Sequence, residues 1–223
     1  GHFAARFPRA RVAVHAKGAP HLVDPSRLLA SATRIYGEDG MRRVGPMEPL
    51  DPGRLVILDE GDHLPLGGGR SLEVMYTPGH AKHHLVYLEA ETGACLVGDE
   101  IGVAFPHGHV VQPDTPPPDF DPVLTTEQLH RIAARRPAFL GLAHFGPHPD
   151  PQRALDEAER HLWEAVAWVE AASGLEDPTA ARRLAVETSA WEDLDARLAA
   201  AEALAGLLDL EQADEADERA LLG

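Results

Sequence analysis

The feature that most constrains the fold is a series of short apolar runs between residues 54 and 97, separated by turn signals such as Gly67-Gly68-Gly69 and Thr92-Gly93. The runs are rich in Val and Leu and too short for average helices, so they predict β-strands. The spacing of the runs favours antiparallel hairpins over parallel crossover units. The predicted strands are 54–58, 71–77, 84–89 and 94–97.

Further elements flank this series on both sides. A strand is predicted at 11–15, and a helix opens after Asp24-Pro25 and ends near Gly37. A helix at 125–135 precedes a buried strand at 138–143. Residues 105–122 are Pro-rich and irregular, a length that is more typical of a functional flap than of a plain connection.

Composition divides the chain near residue 150. The net charge is −16, and residues 151–223 contribute −12 of it, with an Ala-, Leu- and Glu-rich pattern that predicts helices. We therefore expect a domain at 1–150 and an acidic helical extension at 151–223. The extension packs as a helical hairpin on its own chain or, alternatively, forms the seam of a homodimer.

The charge and the cysteine count exclude several classes of function. An acidic chain without a basic groove is not expected to bind nucleic acid or an anionic membrane as its main partner. No apolar run approaches the length of a membrane span. The single Cys95 excludes an internal disulfide framework and favours a cytoplasmic location.

Three predicted strands end in polar residues that can bind a metal ion. His80 closes the segment Thr77-Pro78-Gly79-His80, Asp99 follows the strand at 94–97, and His144 follows the strand at 138–143. A single histidine of this kind is more often structural than a ligand. The same arrangement at three equivalent strand ends indicates that the three residues belong to one shared site, and a carboxylate at such a position suits a metal ion.

The ordered set of Thr-Pro-Gly-His, Gly-Asp and a later strand-ending His resembles the second half of the metallo-β-lactamase-fold hydrolases. The resemblance covers residues 1–150 and implies an α/β (α+β) fold, the αββα sandwich, with a helical C-terminal extension. It also implies two metal ions, usually zinc, between two sheets. By this resemblance His80 completes the ligands of the first ion, Asp99 bridges both ions and is the catalytic residue, and His144 completes the ligands of the second.

The sequence departs from that family in one respect. The family's first motif, His-x-His-x-Asp-His, occurs nowhere in the 223 residues, and the only His-x-His, at His107 and His109, lies after Asp99 in the flap. Residues 2–7 are similar to the helix that normally follows this motif. We therefore expect the motif to precede Gly1 in a longer parent, the sandwich to be incomplete at its N-terminus, and the chain as given to bind zinc weakly.

Two functions of different classes follow. The first is a zinc hydrolase that opens an ester, thioester, lactone or amide bond of a small-molecule substrate with a metal-activated water. The second is a non-catalytic binding or scaffold protein on the same fold, which the absent motif favours. A mononuclear site of His80, Asp99 and His144 is a third option. His83 and His84 are expected to support the ligands and not to bind metal themselves.

Overall fold

A six-stranded sheet forms the centre of the computed structural model, which describes residues 2–104, 110–116 and 120–173. The strands are β1 Val12–His15, β2 Leu55–Leu58, β3 His63–Gly67, β4 Arg70–Tyr76, β5 Leu85–Glu89, β6 Ala94–Gly98, β7 Val103–Ala104, β8 Val111–Gln112, β9 Phe139–Leu142 and β10 Pro147–His148. The helices are α1 His2–Arg6, α2 Ala19–Val23, α3 Ser26–Val44, α4 Pro122–Ala134 and α5 Pro151–Ser173, with a 3₁₀ turn at Pro52–Arg54.

The order of strands in the large sheet is β10-β9-β6-β5-β4-β3. The pairs β3–β4, β4–β5 and β5–β6 are antiparallel. The last two confirm the predicted hairpins, whereas β3 is not among the predicted strands. Strand β9 then pairs with β6 in parallel, after the long connection that contains α4. Strand β2 departs from the hairpin pattern, because it pairs in parallel with β1 across the connection that contains α2 and α3.

Both faces of the large sheet are covered. Val74 and Met75 are consecutive residues of β4 that point to opposite faces, and both are buried. Val74 packs with Leu58 of β2, on the side of the small parallel sheet. Met75 belongs to the main core with residues of α4 and the first turns of α5, such as Ile132 and Leu155. This layering of helices, sheet and second sheet confirms the predicted mixed α/β fold.

Helix α4 begins at Pro122, three residues before the predicted start at 125, because Asp121 caps it. The side chain of Asp121 accepts hydrogen bonds from the main-chain N–H groups of Val123 and Leu124, and Pro122 occupies the first turn. Helix α3 differs from the prediction, because the helix resumes after Gly37 and runs to Val44. Gly37 has a φ of 66°, so the predicted helix end is a kink between two helical segments.

The chain forms two compact units, Gly1–His161 and Leu162–Gly223, and their boundary lies within α5. The division expected at residue 150 stays a prediction. The extension from residue 174 onward, with its predicted dimer seam, lies outside the described residues. Among the helices of the described residues, none has the length and apolar character needed to cross a membrane.

Cys95 lies fully buried in the core, as its position inside a strand predicts. Burial raises the pKa of its thiol to about 12. Since the thiolate is the reactive form, we expect iodoacetamide at pH 8 to modify the native chain at least about a hundredfold more slowly than the chain in urea. Mass spectrometry measures this difference on the only thiol of the chain, and equal rates would contradict it.

Candidate metal centre

Three strand ends meet at one edge of the large sheet and carry the predicted ligands. Strands β4 and β6 are both antiparallel to β5, and β9 is parallel to β6, so β4, β6 and β9 all run in the same direction. Their C-terminal ends therefore lie at the same edge. His80, Asp99 and His144 follow these three ends directly or within a short turn.

The structure brings the three predicted residues together. A nitrogen of His80 and a carboxylate oxygen of Asp99 lie within 4.8 Å of each other. The Nε2 atom of His144 lies 3.5 Å from Oδ1 of Asp99. The carboxylate of Asp99 thus lies close to both imidazoles.

A fourth residue, Asp114, lies next to His80 and Asp99 and is not among the site residues predicted from the sequence. Ligand atoms of His80, Asp99 and Asp114 all lie within 4.8 Å of one another. Asp114 belongs to the Pro-rich flap. The two histidines of that flap, His107 and His109, lie outside the described residues. The only signal in the sequence was an acidic residue in a long loop that follows Asp99.

The side chains of the four residues suit a metal ion that is open to substrate. Their exposed fractions rise from 13% for His80 through 30% for Asp99 and 41% for Asp114 to 56% for His144. The Oδ1 atom of Asp99 is buried and has no hydrogen-bond partner, which is costly for a carboxylate unless a cation binds it. Two imidazoles and two carboxylates are donors that zinc accepts. The residues therefore fit the metal that the resemblance implies.

His80 is held so that one ring nitrogen remains available. Its Nδ1 atom lies 3.1 Å from the main-chain oxygen of Asp114, and a hydrogen bond there places the proton on Nδ1. The lone pair on Nε2 is then the one that can bind a metal. Such a bond to the second nitrogen is the usual way in which a protein orients a histidine ligand.

The turn that presents His80 is closely packed. A Cβ atom on Gly79 would overlap Oε1 of Glu100 and would lie 2.8 Å from the main-chain Cα of Thr125, so only glycine fits. The main-chain oxygen of Gly79 also accepts a hydrogen bond of 2.9 Å from the N–H of Asp121, which precedes α4. The turn is thereby fixed to the start of α4.

A buried polar pair lies beneath this turn. The fully buried Oε2 atom of Glu100 is 3.1 Å from Nδ1 of His84, which also lies 2.8 Å from the hydroxyl of Thr77. Burial raises the pKa of Glu100 to about 8, and the nearby main-chain N–H of His80 opposes the shift. Burial lowers the pKa of His84 to about 3, and the charges of His80 and His83 lower it further. Both side chains are therefore uncharged near neutral pH.

The carboxylates of the centre affect each other. Burial raises the pKa of Asp114, the charge of protonated His80 opposes this shift, and the negative charge of Asp99 adds to it. A cation between Asp99 and Asp114 would remove the repulsion between them. The electrostatics of the site thus agree with its geometry in favouring a bound cation.

Comparisons with known proteins agree on one architecture. No protein-family model matches the chain. The metallo-beta-lactamase fold-containing protein ST1585 of Sulfurisphaera tokodaii is 32% identical over 120 residues, which is 54% of this chain. The chain spans 44% of the length of that curated relative.

Solved structures give the same result. ST1585 from Sulfolobus tokodaii, described as an archaeal metallo-beta-lactamase superfamily protein, has a TM-score of 0.61 at 28% identity and covers 74% of this chain and 61% of its own. The metallo-beta-lactamase family protein TTHA1429 from Thermus thermophilus has a TM-score of 0.55 at 22% identity, with 92% and 67% covered. The B3 metallo-beta-lactamase BLEG-1 has a TM-score of 0.53 at 18% identity, with 72% and 68% covered.

Proposed function

Because the chain belongs to the metallo-β-lactamase-fold superfamily, we propose that it is a metal-dependent hydrolase acting on an ester, thioester, lactone or amide bond of a small molecule. The observation that carries the proposal is the meeting of His80, Asp99 and His144 at one sheet edge. These residues come from three separate segments, and each follows a strand that runs in the same direction. The substrate is not chosen by the fold, since one such site supports many reactions.

Each residue has a separate part in this proposal. Asp99 is the central metal ligand and the catalytic residue in this proposal. Its buried Oδ1 lies near His144, and its carboxylate also lies near His80. His80 donates through Nδ1 to the main chain of Asp114 and keeps Nε2 for the metal. His144 is the most exposed of the three and lies on the side open to substrate. Zinc bound in such a site supplies a hydroxide nucleophile near neutral pH and polarises a carbonyl oxygen.

We propose zinc as the native metal, with two ions in the complete protein as the family resemblance implies. The remaining ligands of a two-ion site would come from His-x-His-x-Asp-His, which these 223 residues lack. For this chain we therefore expect one ion of modest affinity and little hydrolysis. A cytoplasmic location, supported by the single cysteine, is part of the same proposal.

The first test is zinc binding by the metal-free 223-residue chain, measured by competition with a chromophoric chelator and by elemental analysis. His80→Ala, Asp99→Ala and His144→Ala should each weaken binding at least about tenfold, since each removes one ligand. The matched control is His63→Ala, which removes an exposed imidazole from the edge strand β3. Hydrolysis of ester, thioester, lactone and amide substrates by the zinc-loaded chain should fall in the same three variants.

Zinc binding that all three variants leave unchanged would contradict the proposed site. Two tightly held zinc ions per chain would contradict the expected single ion. Zinc bound through these residues without any hydrolysis would favour the second candidate, a non-catalytic binding protein on this fold. The absence of the first motif from the sequence is the observation that supports that candidate.

A further inference from the structure

We propose that the side chain of Asp114 is a further metal ligand, so that the described flap residues 110–116 contribute to the metal centre. This inference rests on the proposed function and adds a residue to its site. Asp114 is the only member of the His80–Asp99–Asp114 group that does not follow a strand of the large sheet. One of its carboxylate oxygens lies within 4.8 Å of a ring nitrogen of His80 and of a carboxylate oxygen of Asp99. Its Oδ2 atom also lies 3.9 Å from Nδ1 of His80, the atom whose proton the main-chain oxygen of Asp114 accepts.

Two described residues of the flap, Val111 and Asp121, are attached to other parts of the fold on either side of Asp114 in the sequence. Strands β7 and β8 pair in an antiparallel hairpin that returns the chain toward Asp99. The main-chain oxygen of Val111 lies 2.6 Å from Nδ1 of the buried His161 in α5. At the other end, Asp121 donates its N–H to the main-chain oxygen of Gly79, next to His80. Asp114 lies between these two attachments.

The charges explain why a carboxylate in this position needs a cation. Asp99 and Asp114 bring two carboxylates within 4.8 Å, and among the His, Cys, Asp and Glu residues that the structure describes, His80 is the one whose ligand atom lies within that distance of both. The buried Oδ1 of Asp99 has no hydrogen-bond partner. A bound divalent ion would satisfy that atom and offset the repulsion between the two carboxylates.

The main chain and the side chain of Asp114 have separate roles that mutation can distinguish. The main-chain oxygen orients His80, and every substitution at position 114 retains that oxygen. Asp114→Asn keeps the shape of the side chain and removes its charge, while Asp114→Ala removes the ligand atoms altogether. A loss of metal affinity in both variants therefore reports on the carboxylate itself.

The experiment is a zinc titration of the metal-free chain by chelator competition. Asp114→Asn and Asp114→Ala should each raise the Kd for zinc at least about tenfold. The matched control is Asp156→Asn, at an exposed position of α5, which should bind as the wild-type chain does. At saturating Co²⁺, the visible absorption spectrum of Asp114→Asn should differ from the wild-type spectrum, because the set of ligands has changed. Thermal unfolding of the metal-free variants checks that they fold.

The outcomes separate this inference from the proposed function. If Asp114→Asn and Asp114→Ala bind zinc as the wild type does while His80→Ala and Asp99→Ala bind weakly, the further ligand is refuted and the proposed site stands. If His80→Ala and Asp99→Ala also bind as the wild type does, both fail. An unchanged Co²⁺ spectrum in Asp114→Asn would likewise count against direct ligation.

Discussion

Replacing Glu100 with glutamine should abolish a contribution to the stability of the wild-type chain that decreases as the pH rises from about 4.5 to about 8. The pKa of Glu100 is about 8 in the folded chain, against 4.5 for an ordinary glutamate. Between these values the folded chain keeps a proton that the unfolded chain has lost, so stability falls as the pH rises. The slope is about 1.4 kcal/mol for each pH unit, which amounts to about 5 kcal/mol over the whole window.

Urea unfolding of the metal-free chain at a series of pH values, with chelator present, measures this effect. His84 contributes a rise in stability between about pH 3 and 6.5, because its pKa is lowered to about 3. His84 is in contact with Glu100, and its contribution ends near pH 6.5, so the slopes of the two stability curves between about pH 6.5 and 8 report on Glu100 alone. The matched control is Glu127→Gln, which makes the same exchange at an exposed position of α4. If the free energy of unfolding depends on pH in the same way in wild type and Glu100→Gln, the raised pKa of Glu100 in the folded chain is contradicted.

Gly102→Ala should lose about 3 kcal/mol of stability and weaken zinc binding as well. Gly102 has a φ of 94°, and a Cβ atom there would overlap the main-chain oxygen of Gln112 and lie 2.8 Å from its carbonyl carbon. The left-handed backbone costs a side chain about 1–2 kcal/mol, and the overlap adds about 1–3 kcal/mol. The overlap is with backbone, so relief requires β7 and β8 to separate, which displaces Asp114.

The control for this variant is Gly61→Ala, where φ is 77° and nothing lies within 4 Å of the added Cβ. It carries the backbone cost alone, so we expect a loss of about 1 kcal/mol and unchanged zinc affinity. Urea unfolding and chelator competition measure the two quantities on the same samples. Equal losses in the two variants would show that the hairpin is not closely packed at Gly102.

The sequence predicted those candidate ligands that follow regular strands. His80, Asp99 and His144 could be placed together because each comes after a run of apolar residues long enough to be recognised. Asp114 could not, because β7 and β8 have two residues each and show no periodicity. The pairing that positions Asp114 depends instead on contacts of Gly102 and His161 that are remote in sequence.

Two other features escaped prediction for related reasons. Strand β3 contains Pro65 and exposed residues, as edge strands often do, so it lacks an apolar pattern. The contact between Glu100 and His84 joins two polar residues in the interior, and residue types alone place such residues at the surface. Their burial follows from the packing of the His80 turn on α4, which only the folded chain contains.

The parallel pairing of β9 with β6 determines when the centre can assemble. The hairpins from β3 to β6 connect neighbours in sequence, whereas β9 must close a long loop that includes α4. Pairings of this kind form late, because loop-closure entropy is lost before any contact compensates it. We therefore expect refolding chains to acquire affinity for zinc in their slowest kinetic phase. The rate of zinc binding during refolding then measures the rate at which β9 pairs with β6.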